Sequence, residues 1–312
     1  MAYSRKGGKL RGVKDASVLL HSKPAWWVRL IGALPWPLLY GFASCVTFLA
    51  IRIVGYRKAV ITTNLSKAFP DCDATAVKHM RHRFYAGFAD VFMETFKSSS
   101  LSAERVRERV TIRNVELVRE RLSSGRSVLL VAAHQCNWEW MLLGLSLDIG
   151  FPLDAAYKPL TNPWAEREMY KIRTRFGTRM VKARDLLGDV LRRGKVVRAI
   201  AMVADQEPVT SDRKHWTTFL NRETAFYVGA EEIARVAKLP VFFVAMRRTS
   251  RGHYEMECQP LWEPTEVLQP GEFTERYVQR VEAQIRAAPP DWLWAHKRWK
   301  LKKSIYARSE SG

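Results

Sequence analysis

The residues best suited to chemistry in this chain are His134 and Glu139, which lie five positions apart. An imidazole takes up a proton near neutral pH, and a neighbouring carboxylate can orient the ring, so the pair could provide a general base. On one continuous helix, positions i and i+5 lie about 140° apart and do not share a face. The chain must therefore turn between the two residues if they act together.

A strand followed by a helix would provide that turn. Val128–Ala133 is a short apolar run typical of a buried strand, and Trp138–Leu147 is predicted to be helical, with Asn137 as its N-cap. His134 would then lie at the carboxyl end of the strand, where open α/β sheets bind their ligands, with Glu139 in the first helical turn. A purely structural reading stays open at this point, because a glutamate in a first turn also compensates the helix dipole.

A second carboxylate, Asp205, directly follows the apolar run Val196–Val203 and could join the same site. The competing interpretation is a turn, since Asp and Pro are common turn residues and Pro208 follows closely. Strands alternate with helices throughout this part of the chain, which predicts an α/β fold with a mostly parallel central sheet covered by helices on both faces. The other predicted elements are strands at Pro152–Tyr157, Arg179–Val181, Val241–Ala245 and His253–Gln259, and helices at Ser102–Leu122, Pro163–Phe176, Asp185–Arg193, Thr224–Ala237 and Phe273–Ala287.

Cysteine usage indicates a reducing compartment. Cys45, Cys72, Cys136 and Cys258 lie far apart and form no C-x-x-C pair, so neither a zinc site nor a disulfide framework is predicted. Cys136 lies two residues from His134, but adjacent loop positions seldom bring a thiol and an imidazole within hydrogen-bond reach. We therefore interpret Cys136 as a packing residue and predict no covalent intermediate, no metal and no cofactor.

Basic side chains are in large excess. The 312 residues include 51 Lys and Arg against 31 Asp and Glu, a net charge of +20, and 47% of them are hydrophobic, which excludes a disordered chain. Such a charge implies an anionic partner, which is either nucleic acid or an anionic membrane surface together with phosphorylated substrates.

The N-terminal region favours the membrane. Ten basic residues and one acid lie within residues 1–58, and they flank the apolar stretch Leu30–Val54, with Trp26, Trp27 and Trp36 at its beginning. This pattern suits a lipid interface better than a DNA groove, and the stretch is long enough to cross a bilayer or to lie in its surface. We expect residues 1–58 to form a basic, membrane-anchoring arm and residues 59–312 to form the catalytic domain. The alternative is a buried helix of that domain. No removable signal peptide is predicted.

A second basic and aromatic run lies near the C-terminus, where Lys297, Arg298 and Lys300 alternate with Trp292, Trp294 and Trp299. It could bind nucleic acid by base stacking. We prefer contact with phosphates or lipid headgroups, because the N-terminal region independently implies a membrane.

An ordered set of motifs extends through nearly the whole chain: Leu34-Pro35, Tyr40, Tyr56-Arg57, Asn64-Leu65, Ala68-Phe69-Pro70, His134 with Asn137-Trp138-Glu139, Tyr157-Lys158-Pro159, Asn162-Pro163, Arg173 with Gly177, Asp205-Gln206, and the closing run from Pro290 to Lys300. In this order and form the motifs resemble the bacterial lipid A late acyltransferases, a branch of the lysophospholipid acyltransferase superfamily. His-x4-Glu alone would be weak evidence, whereas the ordered set is highly specific.

The resemblance implies an O-acyltransferase on the cytoplasmic face of the bacterial inner membrane. It would move a fatty acyl chain from acyl-carrier protein to a hydroxyl of a glycolipid such as a lipid A precursor. Within this reading His134 is the general base, oriented by Glu139, while Arg173 and Asp205 complete the catalytic set. Arg173 and backbone N–H groups at the start of the Trp138 helix are candidates for oxyanion stabilisation, and Asp205 would hold Arg173 or the acceptor. Asn137, Tyr157, Lys158 and Gln206 are expected to bind substrate.

Alternatives remain. The acceptor could be a lysophospholipid or another membrane lipid, and a different class altogether is a basic nucleic-acid-binding protein. The chain also departs from the family pattern in two places, with Cys136 where a small residue, often Gly, usually precedes Asn, and with Phe219-Leu220-Asn221 in place of Phe-Phe-Gly. Acyl length and acceptor specificity therefore cannot be transferred from the resemblance.

Overall fold

A seven-stranded sheet forms the centre of the structure, a computed structural model that describes residues 25–209 and 213–303. The strands are β1 (Val110–Arg113), β2 (Val128–Ala132), β3 (Leu153–Tyr157), β4 (Arg179–Lys182), β5 (Ala199–Val203), β8 (Val241–Ser250) and β9 (His253–Trp262), in the order β1-β9-β8-β2-β5-β3-β4. All neighbours pair in parallel except β8 and β9, which are antiparallel. A separate antiparallel hairpin joins β6 (Lys214–Phe219) to β7 (Arg222–Tyr227).

Helices surround the sheet. They are α1 (Trp26–Ala33), α2 (Trp36–Leu49), α3 (Lys58–Ala68), α4 (Ala74–Lys97), α5 (Ala103–Arg107), α6 (Val115–Ser123), α7 (Trp138–Asp148), α8 (Pro163–Thr174), α9 (Leu186–Arg192), α10 (Gly229–Ala237) and α11 (Glu272–Ala287). A π-helical turn, Ala50–Val54, continues α2, and short 3-10 turns occupy Ala183–Asp185 and Pro289–Asp291.

Both faces of the sheet are covered, as the burial of strand β2 shows. All five of its residues are buried, and successive side chains point to opposite faces of the sheet. Leu129 and Val131 belong to a core cluster with Tyr277 of α11, whereas Leu130 belongs to a second cluster with Trp140 of α7. A strand buried on both sides needs a continuous apolar sequence, which is the pattern that predicted it. The predicted α/β fold with a mostly parallel sheet is confirmed.

Three local predictions were wrong. The stretch Ser102–Leu122 is not one helix, since strand β1 lies between two short helices. Thr224–Tyr227 is strand rather than helix, because it pairs with β6 in the hairpin, and the helix starts only at Gly229. The predicted strand Val196–Val203 begins three residues later, at Ala199. These strands are short or half-exposed, so their apolar residues do not form a pattern that distinguishes strand from helix.

Helices α1 and α2 pack on the long helix α4. Leu39 and Ala43 of α2 are fully buried there, and the ammonium group of Lys97 donates hydrogen bonds to the carbonyl oxygens of Gly32 (2.6 Å) and Leu34 (2.7 Å). The opposite side of the two helices exposes large apolar side chains: Trp26, Leu30, Leu38, Phe42, Phe48 and Ile53. Among the described residues, the one helix long and apolar enough to cross a membrane is the 19-residue stretch Trp36–Val54. The domain boundary at residue 58 stays a prediction, and the basic residues from Arg5 to Lys23 lie outside the described residues.

Candidate active site

His134 lies two residues beyond the end of β2, at the carboxyl edge of the sheet. The register of the neighbouring strand carries Asp205 to the same level, because Ala132 pairs with Val203 and each chain then continues for two residues. The backbone carbonyl of His134 accepts a hydrogen bond from the N–H of Leu293 at 3.1 Å, and Gln135 forms a β-bridge with Trp292. The C-terminal segment thus holds the histidine loop in place from the outside.

Asp205 is the carboxylate that contacts His134. Its Oδ1 lies 2.6 Å from the ring Nδ1, and its Oδ2 accepts the backbone N–H of His134 at 3.0 Å. With the Nδ1 proton donated to Asp205, Nε2 is left as a proton acceptor, and Gln206 Nε2 lies 3.3 Å from it. The side chain of His134 is 14% exposed and that of Asp205 is 2% exposed, so the imidazole is accessible while the carboxylate beneath it is sealed from water.

The surroundings of Asp205 keep it ionised. Burial by itself would raise the pKa of this carboxyl group, but the charge and hydrogen bonds of His134, together with a bond from Trp292, hold the pKa below its usual value. Trp292 Nε1–H donates to Oδ2 at 2.7 Å, and Arg298 Nε–H donates to the backbone carbonyl of Asp205 at 2.7 Å. The carboxylate is therefore fixed in position as well as in charge.

Glu139 binds Arg173 instead of His134. Arg173 Nε–H donates to Oε2 at 2.8 Å and its Nη2–H to Oε1 at 2.6 Å, a two-bond pairing of guanidinium and carboxylate. Trp138 Nε1–H adds a third bond to Glu139, at 3.2 Å. The prediction that Glu139 orients the imidazole is thus corrected, because Asp205 occupies that place. Of the two partners predicted for Asp205, Arg173 is excluded, because it pairs with Glu139, and the acceptor stays a prediction.

The pair with Glu139 aims the Arg173 guanidinium at the site. Burial would lower the pKa of Arg173, but the charge and hydrogen bonds of Glu139 more than compensate, so the net shift is upward and the group stays charged. Nε and Nη2 are used in the pair. In the hydrogen bonds of the described residues Nη1 has no partner, so its donors remain for an anionic group of a substrate.

A cavity of about 530 Å³ opens beside the His134 ring and extends between the sheet and helix α7. Polar side chains surround one end: His134, Glu139, Tyr157, Lys158, Arg173 and Gln206. The rest is apolar, with lining residues from β2, β3, β5, β8 and α7 that include Leu130, Ala132, Met141, Leu145, Ala201 and Val244. Small alanines on the sheet side leave room for a long apolar group. The arrangement thus combines a base and a cation with an apolar channel.

Three of the four predicted substrate-binding residues line this cavity, namely Tyr157, Lys158 and Gln206. Asn137 does not, since its side chain is fully buried. Its Oδ1 caps helix α7 by accepting the N–H of Trp140 at 3.0 Å, and its Nδ2–H donates to Glu94 at 2.8 Å. Both ends of the amide are engaged within the protein, so the predicted direct contact of Asn137 with substrate is corrected.

Cys136 occupies a backbone position that normally favours glycine, with a φ of 52°. This backbone conformation accounts for the glycine that the resemblance leads us to expect at this position. The thiol is 2% exposed and its pKa is raised well above the usual value, chiefly by burial, so the reactive thiolate is disfavoured. Its Sγ–H donates to the carbonyl oxygen of Met246 at 3.4 Å, in keeping with a packing role.

Trp292, Trp294 and Arg298 of the C-terminal run fold inward against the active site, whereas Lys297 and Lys300 are exposed, so the contact with phosphates or headgroups stays a prediction for these two lysines. Trp292, Trp294 and Arg298 are each 2% exposed or less, which contradicts the predicted phosphate or headgroup contact at these residues. Arg298 spans Asp205 and the carbonyl oxygen of Ala225, and burial lowers its pKa to about 10. A run of tryptophans and basic residues is typical of a lipid interface. The same local pattern also fits a segment that folds back onto the active site, so the sequence does not distinguish the two.

No set of three or more His, Cys, Asp or Glu side chains within residues 25–209 and 213–303 is placed to hold a metal ion. A histidine–carboxylate pair that faces a long apolar cavity, at the carboxyl edge of a parallel sheet, is the arrangement expected of an α/β enzyme whose substrate carries an apolar chain.

Sequence comparison identifies the enzyme family to which this chain belongs. The family model described as bacterial lipid A biosynthesis acyltransferase matches residues 20–301, so the chain belongs to this family and is an acyltransferase. Among its relatives, the lipid A biosynthesis lauroyltransferase of Escherichia coli K12 is 25% identical over 306 residues, which cover 93% of this chain and 96% of the relative. The lipid A biosynthesis palmitoleoyltransferase of the same strain and the lipid A biosynthesis acyltransferase of Shigella flexneri are each 22% identical over 292 residues, covering 89% of this chain and 93% of theirs.

Proposed function

We propose that this enzyme transfers a fatty acyl chain from an acyl-carrier-protein thioester to a hydroxyl group of a lipid A precursor. The observation that carries the proposal is the His134–Asp205 pair, whose Nε2 is contacted by Gln206 and lies at the polar end of a cavity that is otherwise mostly apolar. The names of the relatives, which act in lipid A biosynthesis, support the choice of acceptor.

In the proposed mechanism His134 is the general base. Its Nε2 accepts the proton of the acceptor hydroxyl as the hydroxyl oxygen attacks the thioester carbonyl carbon. The resulting imidazolium is stabilised by Asp205, 2.6 Å from Nδ1. The tetrahedral intermediate then expels the carrier thiolate, which takes the proton back from Nε2, so the ester forms without a covalent enzyme intermediate. Gln206 must release Nε2 when the acceptor binds, since its amide lies 3.3 Å from that atom.

Arg173 supplies the positive charge that this reaction needs. Its Nη1 donors, which have no partner within residues 25–209 and 213–303, would stabilise the negative charge that develops on the thioester carbonyl oxygen. Glu139 acts as a positioning residue in this scheme, because its two bonds fix the plane of the guanidinium. The two carboxylates therefore have different roles in this scheme: Asp205 orients and stabilises His134, and Glu139 positions Arg173.

The remaining surfaces fit a lipid acceptor and an acidic donor. An adjoining cavity of about 530 Å³ shares Lys158 with the first and adds Lys182 and Arg184, which would attract an anionic headgroup. The exposed apolar side chains of α1 and α2 would insert into a bilayer, and the net charge of +20 would attract acidic acyl-carrier protein and anionic lipids. We place the enzyme on the cytoplasmic face of the inner membrane, where that donor is present. Trp292 and Trp294, two of the tryptophans that the alternative nucleic-acid-binding role would use to stack bases, are buried.

Purified enzyme with defined substrates tests the proposal. Wild-type protein and His134→Ala would be incubated in detergent with acyl-carrier-protein thioester or acyl-CoA, and with a lipid A precursor or a lysophospholipid, and products would be identified by mass spectrometry. We expect acyl transfer to the lipid A precursor from the carrier protein, and a loss of about 10² to 10⁴ in rate for the variant. Transfer only to the lysophospholipid, or near-normal activity of H134A, would contradict the proposal.

A further inference from the structure

A buried carboxylate outside the cavity is joined to the start of the catalytic helix. Glu94 lies in α4 and is fully buried. It accepts three side-chain hydrogen bonds: from Tyr40 on α2 to Oε1 at 2.9 Å, and from Asn137 and Tyr254 to Oε2 at 2.8 and 2.7 Å. One side chain therefore connects the apolar helix α2, strand β9 and the loop that follows His134.

The bond to Asn137 is the one that reaches the active site. Asn137 caps α7 through its Oδ1, and the next two residues are Trp138 and Glu139, the latter the partner of Arg173. The backbone carbonyl of Glu94 also accepts the indole N–H of Trp140 at 3.2 Å. Two hydrogen bonds from one residue thus reach the first turn of α7, which also carries Glu139.

We infer that Glu94 is a positioning residue of the acyl-transfer site, which holds Asn137 and the first turn of α7 so that the Glu139–Arg173 pair faces His134. The inference rests on the proposed use of this site for acyl transfer. Because Tyr40 lies on α2, the same carboxylate also joins the membrane-facing helix to the catalytic helix. Glu94 is absent from the cavity wall and has no contact with His134 among its hydrogen bonds.

Two substitutions at Glu94 separate positioning from charge. In Glu94→Gln the amide oxygen can take the place of Oε2 and accept from Asn137 and Tyr254, while the amide nitrogen donates to the hydroxyl of Tyr40. All three contacts survive, and the cost of a buried charge is removed, since burial raises the pKa of Glu94. In Glu94→Leu all three donors lose their acceptor. We expect kcat within about threefold of wild type for E94Q and a fall of about 10- to 100-fold for E94L, with KM for the acyl donor changed by less than about threefold, because a misdirected catalytic group lowers turnover rather than binding.

Asn137→Ser provides a second and milder variant. Serine is a good N-cap but is too short to reach Glu94, so the cap would be kept and the connection lost. We expect a fall in kcat similar to that of E94L, and no further fall in the double variant, because both changes break the same connection. This variant keeps the inference testable if E94L does not fold.

Asp90→Asn is the matched control. Asp90 lies one turn earlier in α4, is also buried, and binds Arg251 at 2.9 and 2.6 Å. Arg251 in turn contacts Tyr40 and Ser44 of α2, so Asp90 anchors the same helix without touching Asn137. D90N should lower the melting temperature while kcat stays near wild type.

Hydrogen–deuterium exchange gives a readout independent of activity. Backbone amides of residues 138–142 should exchange faster in E94L and N137S than in wild type, E94Q and D90N. Wild-type kcat for E94L and N137S measured well below their melting temperatures, or an equal loss in D90N, would overturn the inference. A failure of the proposed function is distinguishable, because it would appear as undiminished transfer by H134A in the same assay.

Discussion

Asp205→Asn isolates the contribution of the carboxylate beneath His134. Oδ2 of Asp205 accepts two N–H groups, from the His134 backbone and from Trp292, whereas the imidazole Nδ1 is the one partner of Oδ1 in the part of the chain that the structure describes. The asparagine oxygen will therefore take the Oδ2 position, and the amide N–H will point at Nδ1. The ring must then accept at Nδ1 and carry its proton on Nε2, which is the wrong tautomer for a base that works through Nε2.

The size of the effect follows from the geometry. When His134 takes up the acceptor proton, a positive ring forms beside a buried negative carboxylate, with the nearest atoms 2.6 Å apart. For charge centres about 4 Å apart and an effective dielectric constant of about 20, the attraction is about 4 kcal/mol. Because one decade in rate corresponds to about 1.36 kcal/mol, we expect kcat to fall about 10³-fold in the asparagine variant.

The assay is the initial rate of acyl transfer to a lipid A precursor at saturating donor, with folding monitored by thermal melting. Glu255→Gln is a suitable control, because Glu255 lies on β9, binds Arg247 and Arg113, and lines neither of the two cavities. We expect this control to transfer acyl chains at nearly the wild-type rate. A folded D205N enzyme within about threefold of wild type would refute the assignment of Asp205 as the partner of the base.

Three further predictions concern neighbouring groups. Arg173→Lys should remain folded and lose most activity, because an ammonium group cannot reproduce both bonds to Glu139. Arg175→Lys should stay near wild type, because Arg175 contacts the Ser99 carbonyl oxygen and the Phe176 ring and not Glu139; initial rates of the two variants test this. Cys136→Ser should transfer acyl chains at a rate within about threefold of wild type. Iodoacetamide should not label Cys136 in the native enzyme, since burial raises the pKa of the thiol. Labelling of Cys136 that inactivates the enzyme would contradict this prediction. The depressed pKa of Asp205 should add stability above about pH 4, the range of an unfolded aspartate, and this contribution should be lost as the pH falls through the lower folded-state pKa. The difference in free energy of unfolding between wild type and D205N, measured in urea, should therefore shrink below about pH 4, and a constant difference would refute it.

Local signals explain how much of the site could be predicted from the sequence. The five buried residues of β2 form a continuous apolar run, and Asn137 is a strong helix N-cap, so the strand, the turn and the start of α7 were predictable from neighbouring residues alone. Strand β1 and the β6–β7 hairpin were not, because they are short and only partly buried. In such segments the periodicity that separates strand from helix is too weak to read.

Cys136, in the loop that follows His134, also shows which features a sequence pattern predicts and which it does not. The resemblance to the family indicated that Cys136 stands where a small residue is usual. The reason, a φ of 52°, belongs to the folded backbone. Asn137 gives a second example. Its capping role is predicted by the sequence, whereas its hydrogen bond to Glu94 joins residues 43 positions apart and is not predicted. Interactions over such separations depend on how elements pack, and no local pattern encodes them.

The sequence by itself indicated the types of groups at the candidate site, since His134 and Asp205 follow apolar runs and Glu139 lies five positions after His134, while the resemblance to the family added Arg173. Only the tertiary structure decided how they pair. The order of strands places β5 beside β2 in a register that brings Asp205 to His134, and the packing of α8 brings Arg173 to Glu139. The sequence likewise predicts that Trp292 lies at a lipid interface, whereas in the fold its indole N–H donates to the Asp205 carboxylate. The physical reason is the same in each case: strand order, register and helix packing are set by the burial of the whole core, which is a property of distant residues acting together.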